Sequence, residues 1–196
     1  MATTTAVPAP SPLTRNDIEI STRAADHFTR LYYSTYDSAA RIDDLPKFYR
    51  PSSSLTWNGN PYQGAEGVRE LMAGMPITKH DVQSFDCHPI PGASPPPLLP
   101  FFPLSRRAPI RSLTGCVCAA RAGTQPPSLL VTVSGNVTHG RGPAGNPPAT
   151  PVKCIDGQSR VFSQTFMLVV DPSAPPTKSG EVAKYYINAD AMRFVG

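Results

Sequence analysis

Residues 160–171, RVFSQTFMLVVD, decide the fold class of this chain because they predict a strand with apolar side chains on both faces. One face carries Val161, Met167 and Val169, and the other carries Phe162, Phe166, Leu168 and Val170. Both faces therefore need cover. Helices packed on a sheet can shield only one of its sides, so we expect the other side to be available to a partner.

Three further strands are predicted around this one. Residues 128–139, SLLVTVSGNVTH, alternate between apolar and small polar side chains, which is typical of a half-buried strand. Runs of the same kind predict strands over Lys79–Pro89 and Lys184–Val195. Together these segments predict a four-strand antiparallel meander in the second half of the chain.

The first half is predicted to be mainly helical. Thr14 followed by Asp17 resembles a capping box and predicts a helix that runs to about Tyr36. The other predicted elements are a short helix from Asp43 to about Tyr49, a strand over Ser54–Trp57, a tight turn at Asn58-Gly59 and a helix over Ala65–Met75. Helices that precede a run of strands indicate an α+β fold rather than an alternating α/β fold.

The chain length and the distribution of proline predict one domain with an insertion. The 196 residues include 24 prolines, many of them between Pro91 and Pro127. We expect residues 1–13 to form a flexible tail, residues 14–196 to form a single domain, and residues 91–127 to be an inserted loop between two strands. The insertion holds an apolar cluster over 98–102, so it is either a spacer or a loop that docks on its own domain or on a partner.

Membrane, metal and catalytic functions have little support. The N-terminus does not resemble a secretory signal, no apolar run is long enough to cross a membrane, and the net charge of +4 permits nucleic-acid contact without requiring it. Acid–base catalysis in a cavity could use Asp26, His27, Asp86 or Asp190, but nothing in their spacing brings them together. We therefore predict no catalytic residue, no metal site and no cofactor.

Five segments together resemble the nuclear transport factor 2 family. They are Ala25–Tyr33 (ADHFTRLYY), Leu55–Asn60 (LTWNGN), Phe85–Pro89 (FDCHP), Phe162–Leu168 (FSQTFML) and Ala189–Phe194 (ADAMRF). Within this family, the segments are most similar to the small subunit of the general mRNA export receptor. The resemblance covers about residues 15–90, 128–139 and 160–195, and it leaves out the 91–127 insertion.

The resemblance implies a cone-shaped fold with three N-terminal helices on the concave face of a curved, mainly antiparallel sheet. It also implies a non-enzymatic adaptor that forms a heterodimer with the related domain of a larger export receptor. The complex would carry mRNA, and in some lineages pre-ribosomal particles, past nucleoporins, in the nucleus and at the nuclear pore, shuttling to the cytoplasm. A homodimeric transport factor with a small protein cargo and a cavity dehydratase or isomerase remain the alternatives.

Specific residues follow from the same resemblance. The predicted partner interface consists of Gln164, Phe166, Leu168, Asp190, Met192, Arg193 and Phe194. Arg193 is expected to meet a carboxylate of the larger subunit, and simple alternation places it on the same side as Ile187, Ala189, Ala191 and Val195. The resemblance does not cover the insertion, but the positive charge of its basic residues, Arg106, Arg107 and Arg111, separately predicts weak contact with mRNA or ribosomal RNA.

Overall fold

The protein is described by a computed structural model, which covers residues 13–91, 126–140, 157–175, 177–178 and 180–195. The helices in these residues are α1 (Arg15–Tyr36), α2 (Arg41–Asp44), a 3-10 turn (Leu45–Phe48) and α3 (Gly64–Gly74). The strands are β1 (Tyr49–Trp57), β2 (Asn60–Gln63), β3 (Thr78–Ile90), β4 (Ser128–His139), β5 (Ser159–Val170) and β6 (Tyr185–Phe194). No helix in the described ranges is both long and apolar enough to cross a membrane.

Helix α1 begins where its capping box predicts. The Asp17 backbone N–H donates to Thr14 Oγ1 at 3.2 Å, and the Thr14 backbone N–H donates to Asp17 Oδ2 at 2.9 Å. These reciprocal bonds satisfy two backbone donors that the first helical turn leaves without an intrahelical partner. The helix packs one side on the sheet, and its buried tyrosines are Tyr32, Tyr33 and Tyr36.

The Asn58-Gly59 turn closes a hairpin between β1 and β2. Asn58 has φ 47° and Gly59 has φ 91°, the positive values that a two-residue turn of this kind requires. Strand β2 is the element that the sequence did not predict. It has four residues and contains Pro61, and short strands of this composition give almost no alternating pattern.

The six strands form one mixed sheet in the order β2-β1-β6-β5-β4-β3. The predicted antiparallel meander is confirmed for β3 to β6, while β1 pairs with β6 in the parallel direction. The α+β fold class and the mainly antiparallel sheet are thus as expected. The parallel pair joins the N-terminal hairpin to the C-terminal strand, which a reading of local patterns cannot reveal.

The core lies between α1 and the sheet. Phe166 of β5 contacts both Phe28 and Tyr32 of α1, with ring centroids 5.0 and 4.8 Å apart. Phe162, Leu129 and Ile187 are also completely shielded from solvent on this side of the sheet. Complete burial of each such side chain stabilises the fold by about 1.5–3 kcal/mol.

A β-bulge in β6 corrects one detail of the prediction. Leu168 lies opposite Ile187, whereas the preceding Met167 lies opposite Ala189, so Asn188 is an extra residue in β6. An extra residue reverses the alternation of side chains on the bulged strand. Ile187 therefore points into the core, and the expectation that it shares a side with Arg193 is wrong.

Candidate partner-binding face

The sheet has one face covered by helices and one face that no element in the described part of the chain covers. Along β4 and along residues 161–169 of β5 the burial alternates, with each residue of the helix-covered face buried and its neighbours more exposed. We call the uncovered side the open face. Its residues at the centre of the sheet are Leu130, Thr132, Ser134 and Asn136 of β4, Val161, Ser163, Thr165, Met167 and Val169 of β5, and Ala189, Ala191 and Arg193 of β6.

The open face carries hydroxyl groups at its centre and apolar side chains toward both strand ends. The hydroxyl groups of Ser84 in β3 and Ser134 in β4 share a hydrogen bond of 2.7 Å. The hydroxyl oxygens of Thr132 in β4 and Thr165 in β5 lie 3.4 Å apart. Leu130 lies opposite Met167 near one end, and Val161 near the other end is 50% exposed. Neighbouring hydroxyls and apolar groups without a covering layer are typical of a surface that another protein can bury.

Arg193 is the basic residue that β6 contributes to this face, near the C-terminal end of the strand. It lies opposite Ser163, and because paired residues of an antiparallel sheet point to the same side, its side chain belongs to the open face. Arg193 is exposed, and no carboxylate in the described ranges pairs with it. Arg193 shares the open face with Ala189 and Ala191, as the alternation predicts, whereas Ile187 lies on the other face.

The other predicted interface residues require a correction of position. Those that are buried in the core of this chain, beneath the helices, are Gln164, Phe166, Leu168, Asp190 and Met192. They alternate with the open-face residues, so a partner on the open face could not touch their side chains. Phe194 also points to the covered side, where it packs edge-on against Trp57. That these six contact a partner stays a prediction; in this chain five of them are buried and Phe194 is partly buried.

Asp190 is instead the centre of a buried hydrogen-bond network. It accepts bonds from Tyr49 Oη at 2.6 Å and from Gln164 Nε2 at 2.9 and 3.0 Å, and Tyr32 Oη lies 3.3 Å away. Tyr33 Oη donates in turn to Gln164 Oε1 at 2.9 Å. Burial raises the pKa of Asp190 to about 6, although the hydrogen bonds from Tyr49 and Gln164 act in the opposite direction.

The sequence analysis does not predict this network, because it assigns Asp190 and Gln164 to the partner interface. A polar residue within an apolar strand pattern is the signal that could have located it, since buried polar groups require partners. The network connects α1, β1, β5 and β6 through five side chains, those of Tyr32, Tyr33, Tyr49, Gln164 and Asp190. These bonds hold α1 against the covered face of β5 and β6, the two strands whose other side belongs to the open face.

The candidates for acid–base chemistry do not converge. Asp26 pairs with Arg30 on the surface of α1 at 3.0 Å, and His27 is exposed on the same helix. Asp86 lies on the outer side of β3, away from the buried Asp190. Among the described residues no group of three or more histidine, cysteine or acidic side chains could hold a metal ion.

His80, which is not among the acid–base candidates, forms a contact between two elements of the fold. Its Nδ1 atom lies 2.6 Å from Asp37 Oδ1, and its ring packs among Tyr33, Tyr36 and Phe162. The carboxylate of Asp37 also accepts bonds from the His80 backbone and from Thr78. Partial burial raises the pKa of Asp37, but the His80 side chain, with smaller contributions from the other two bonds, holds it below the usual value. The pair ties the end of α1 to the start of β3.

Comparison with known proteins decides the family. The profile of the Nuclear transport factor 2 (NTF2) domain matches residues 24–98. An NTF2-related export protein of Caenorhabditis elegans is 34% identical to this chain over 153 residues, which cover 78% of this chain and 79% of that protein. The chain belongs to the nuclear transport factor 2 family.

Other members of the nuclear transport factor 2 family match over shorter segments. NTF2-related export protein 1 of Bos taurus is 35% identical over 68 residues, which is 35% of this chain. That match spans 47% of the bovine protein, so the alignment extends over about half the length of this mammalian relative. The segment 91–127 lies at the edge of the matched family profile, which ends at residue 98.

Solved structures confirm the fold of the family. Nuclear transport factor 2 of Cryptosporidium parvum has a TM-score of 0.52 with 19% identity, covering 89% of this chain and 94% of that one. A structure from Novosphingobium aromaticivorans that is named for an enzyme, scytalone dehydratase, has a TM-score of 0.54 with 9% identity, covering 93% of this chain and 89% of that one. The fold alone therefore does not separate transport factors from enzymes, and the site has to do so.

Proposed function

We propose that this chain is the small, non-enzymatic subunit of an mRNA export receptor, and that it pairs through its open face with the nuclear transport factor 2-like domain of a larger subunit. The export function is supported by the names of its relatives, which include the Caenorhabditis elegans export protein. The pairing is supported by the open face, and this is the observation that carries the proposal. An enzymatic function has no comparable support, because Asp190 is enclosed by core side chains.

The open face suits a second sheet as its partner. Two sheets pack face to face at a distance of about 10 Å, with side chains of the two facing surfaces interdigitating. Small residues at the centre, such as Ala191 and Ser163, let a partner sheet approach closely, while Leu130 and Met167 supply apolar area. Hydroxyl groups such as those of Thr132 and Thr165 can exchange their bonds for bonds to the partner.

Arg193 gives the β6 part of this face a preference for an acidic group of the partner. A guanidinium is always charged and presents a planar set of donors that matches a carboxylate. We therefore propose that the facing sheet of the larger subunit places an Asp or Glu opposite Arg193. Charge complementarity of this kind selects one partner over another more than it raises affinity.

The cargo and the route belong to the same proposal. The heterodimer would carry mRNA, and in some lineages pre-ribosomal particles, through the nuclear pore, with the nucleoporins met by the complex as a whole. The chain would then shuttle between nucleus and cytoplasm. Arg106, Arg107 and Arg111, proposed to add weak RNA contacts, lie outside the described residues.

The experiment that tests the pairing uses two alanines. Ala191 is exposed on the open face, and Ala73 is exposed on α3 at the other side of the molecule. Ala191→Glu should abolish co-purification with the larger subunit, because it places a charge at the centre of the facing surfaces. Ala73→Glu should leave co-purification unchanged.

The oligomeric state of the chain alone distinguishes the proposed heterodimer subunit from a homodimeric transport factor. If the chain alone runs as a dimer in size-exclusion chromatography, and Ala191→Glu converts it to a monomer, the open face pairs two copies. The homodimeric transport factor would then replace the heterodimer. Equal pairing of both variants with the larger subunit would contradict the use of the open face.

A further inference from the structure

A groove on the helix side of the molecule is not used by the proposed pairing. It lies between α1 and the segment 182–185 that leads into β6, and it encloses a volume of about 760 Å³. Phe28 and Phe48 form part of its lining, with ring centroids 6.2 Å apart in an edge-on arrangement. Ala24 and Ala183 are buried in the same lining, and their small side chains leave the hollow between the larger ones.

The groove is open along its length rather than closed. Leu31 on the helix wall is 47% exposed, and Val182 on the opposite wall is 45% exposed. A small-molecule pocket normally encloses most of its ligand's surface, which two exposed walls cannot do. The shape therefore favours an extended segment of polypeptide that inserts a side chain and leaves its backbone at the surface.

The charged lining of the groove is basic. Its ionisable members other than a tyrosine are His27, Lys47, Arg50 and Lys184, and no carboxylate is among the lining residues. Lys47 pairs with Asp44 and Arg50 pairs with Asp171, both outside the lining. Lys184 is exposed and has no ion-pair partner in the described ranges.

The groove and the open face lie on opposite sides of the sheet. The groove is built on α1, which covers the face of the sheet where Phe166 is buried. The proposed subunit interface is formed by the residues that alternate with these buried ones along each strand and point to the open face. A partner on the open face consequently leaves the groove accessible. The groove can serve as a second binding site of the assembled heterodimer.

We infer that this groove binds an acidic peptide segment that inserts at least one bulky apolar side chain. The inserted side chain packs between Phe28 and Phe48 in the hollow above Ala24 and Ala183. Asp or Glu residues that flank it in the peptide lie at the basic rim, where Lys184 has no acidic partner of its own. The apolar contact supplies affinity, and the charges supply orientation and selectivity.

A peptide selection tests this inference without assuming a sequence. Short random peptides displayed on phage are selected against the full chain, and the most enriched peptide is synthesised and titrated by fluorescence polarisation. The enriched peptides should combine Phe, Trp, Leu, Ile or Met with neighbouring Asp or Glu. Leu31→Asp, Lys184→Glu and Ala183→Leu, which fills the hollow, should each weaken binding about tenfold or more, equivalent to about 1.4 kcal/mol.

The matched control is another exposed aliphatic residue of the same helix. Ile18 is 47% exposed, as Leu31 is, but it does not line the groove. Ile18→Asp should bind the selected peptide as the unchanged chain does, and Leu31→Asp should still co-purify with the larger subunit. The inference is overturned by any of three results: no enrichment, enrichment of peptides without acidic residues, or an enriched peptide whose binding is equal in Leu31→Asp and Ile18→Asp.

Discussion

Tyr49 of β1 donates a hydrogen bond of 2.6 Å to the carboxylate of Asp190 in β6, and both side chains are buried in the core. The bond crosses the parallel strand pair that joins the N-terminal hairpin to the end of the chain. Burial makes the charged form of Asp190 unfavourable and raises the pKa of its carboxyl group to about 6. The fold is therefore coupled to pH near neutrality through a residue that cannot reach solvent.

The first prediction concerns this coupling. Between about pH 4 and about pH 7 the unfolded chain loses the Asp190 proton before the folded chain does, so the free energy of unfolding falls as the pH rises. A pKa that moves from 3.8 to about 6 corresponds to a loss of about 3 kcal/mol across that window. Asp190→Asn cannot ionise and should lack this decrease, as measured by urea unfolding at several pH values.

A second carboxyl group gives the opposite dependence and serves as the internal control. Hydrogen bonds from the Ser173 hydroxyl and backbone N–H, together with Arg50, lower the pKa of Asp171 to about 2. The contribution of Asp171 to the free energy of unfolding is fully present above about pH 4. It is lost as the pH falls from about 4 to about 2. If unfolding curves of the unchanged chain and of Asp190→Asn run parallel from pH 4 to pH 7, the assignment of the raised pKa is contradicted.

The second prediction concerns two glycines with opposite surroundings. A Cβ atom on Gly135 of β4 would lie 2.2 Å from the backbone oxygen of Asp81 in β3, at the point where the register of this strand pair shifts. Gly135→Ala should therefore destabilise the fold by about 1–3 kcal/mol or more. Gly74 has nothing within 4 Å of such an atom at the end of α3, so Gly74→Ala should be neutral or stabilising by up to about 1 kcal/mol. Thermal unfolding of both variants checks this, and equal melting temperatures would contradict it.

The third prediction concerns the insertion. Ile90 at the end of β3 lies directly opposite Ser128 at the start of β4, so the two ends of the inserted segment are already neighbours. Replacing residues 92–125 with a short Gly/Ser linker should leave a folded domain that still pairs with the larger subunit. Because each halving of a loop returns about 0.6 kcal/mol of closure entropy, the free energy of unfolding should stay equal or rise slightly.

That experiment keeps Pro127, whose carbonyl oxygen accepts a bond of 3.0 Å from Tyr185 Oη. Size-exclusion chromatography with the larger subunit provides the measurement. Loss of the heterodimer in the shortened chain would show that the insertion is part of the interface or of the fold.

The fourth prediction concerns the basic residues of the insertion. Changing Arg106, Arg107 and Arg111 together to Glu should lower the RNA affinity of the heterodimer and reduce the slope of its salt dependence, because fewer phosphate contacts release fewer counterions. RNA binding that is unchanged across a salt titration would show that these arginines are ordinary solubilising charges.

The elements of the fold were largely readable in the sequence because their signals are local. The capping box at Thr14 and Asp17 and the alternation along residues 128–139 each specify one element without reference to the rest of the chain. The parallel pairing of β1 with β6 was not readable, because it joins segments more than a hundred residues apart. The bulge at Asn188 was missed for the same reason, since it is defined only by its partner strand.

The site was predicted less well than the fold. The sequence correctly indicated that β5 has two apolar faces, but it could not indicate which of them the helices cover. Phe166 and Leu168 carry the larger side chains, and these lie in the core beneath the helices. Alternation along β6 correctly grouped Arg193 with Ala189 and Ala191, because no bulge interrupts the strand between these residues.

The fifth prediction tests the central claim, that Arg193 meets a carboxylate of the larger subunit on the open face. Breaking one member of a buried charge pair at an interface costs about 2–5 kcal/mol, and a reversed charge should cost at least as much. At about 1.4 kcal/mol for each factor of ten, Arg193→Glu should weaken the heterodimer about 30-fold or more. The control is Arg15→Glu, since the Arg15 side chain is 93% exposed at the start of α1.

The dissociation constant of the heterodimer for these two variants is the most direct measurement. We expect Arg193→Glu to fail to co-purify with the larger subunit, Arg15→Glu to pair normally, and an Asp→Arg or Glu→Arg change in the facing sheet to restore pairing with Arg193→Glu. A dissociation constant for Arg193→Glu within about threefold of the unchanged chain, less than 1 kcal/mol, would contradict the claim.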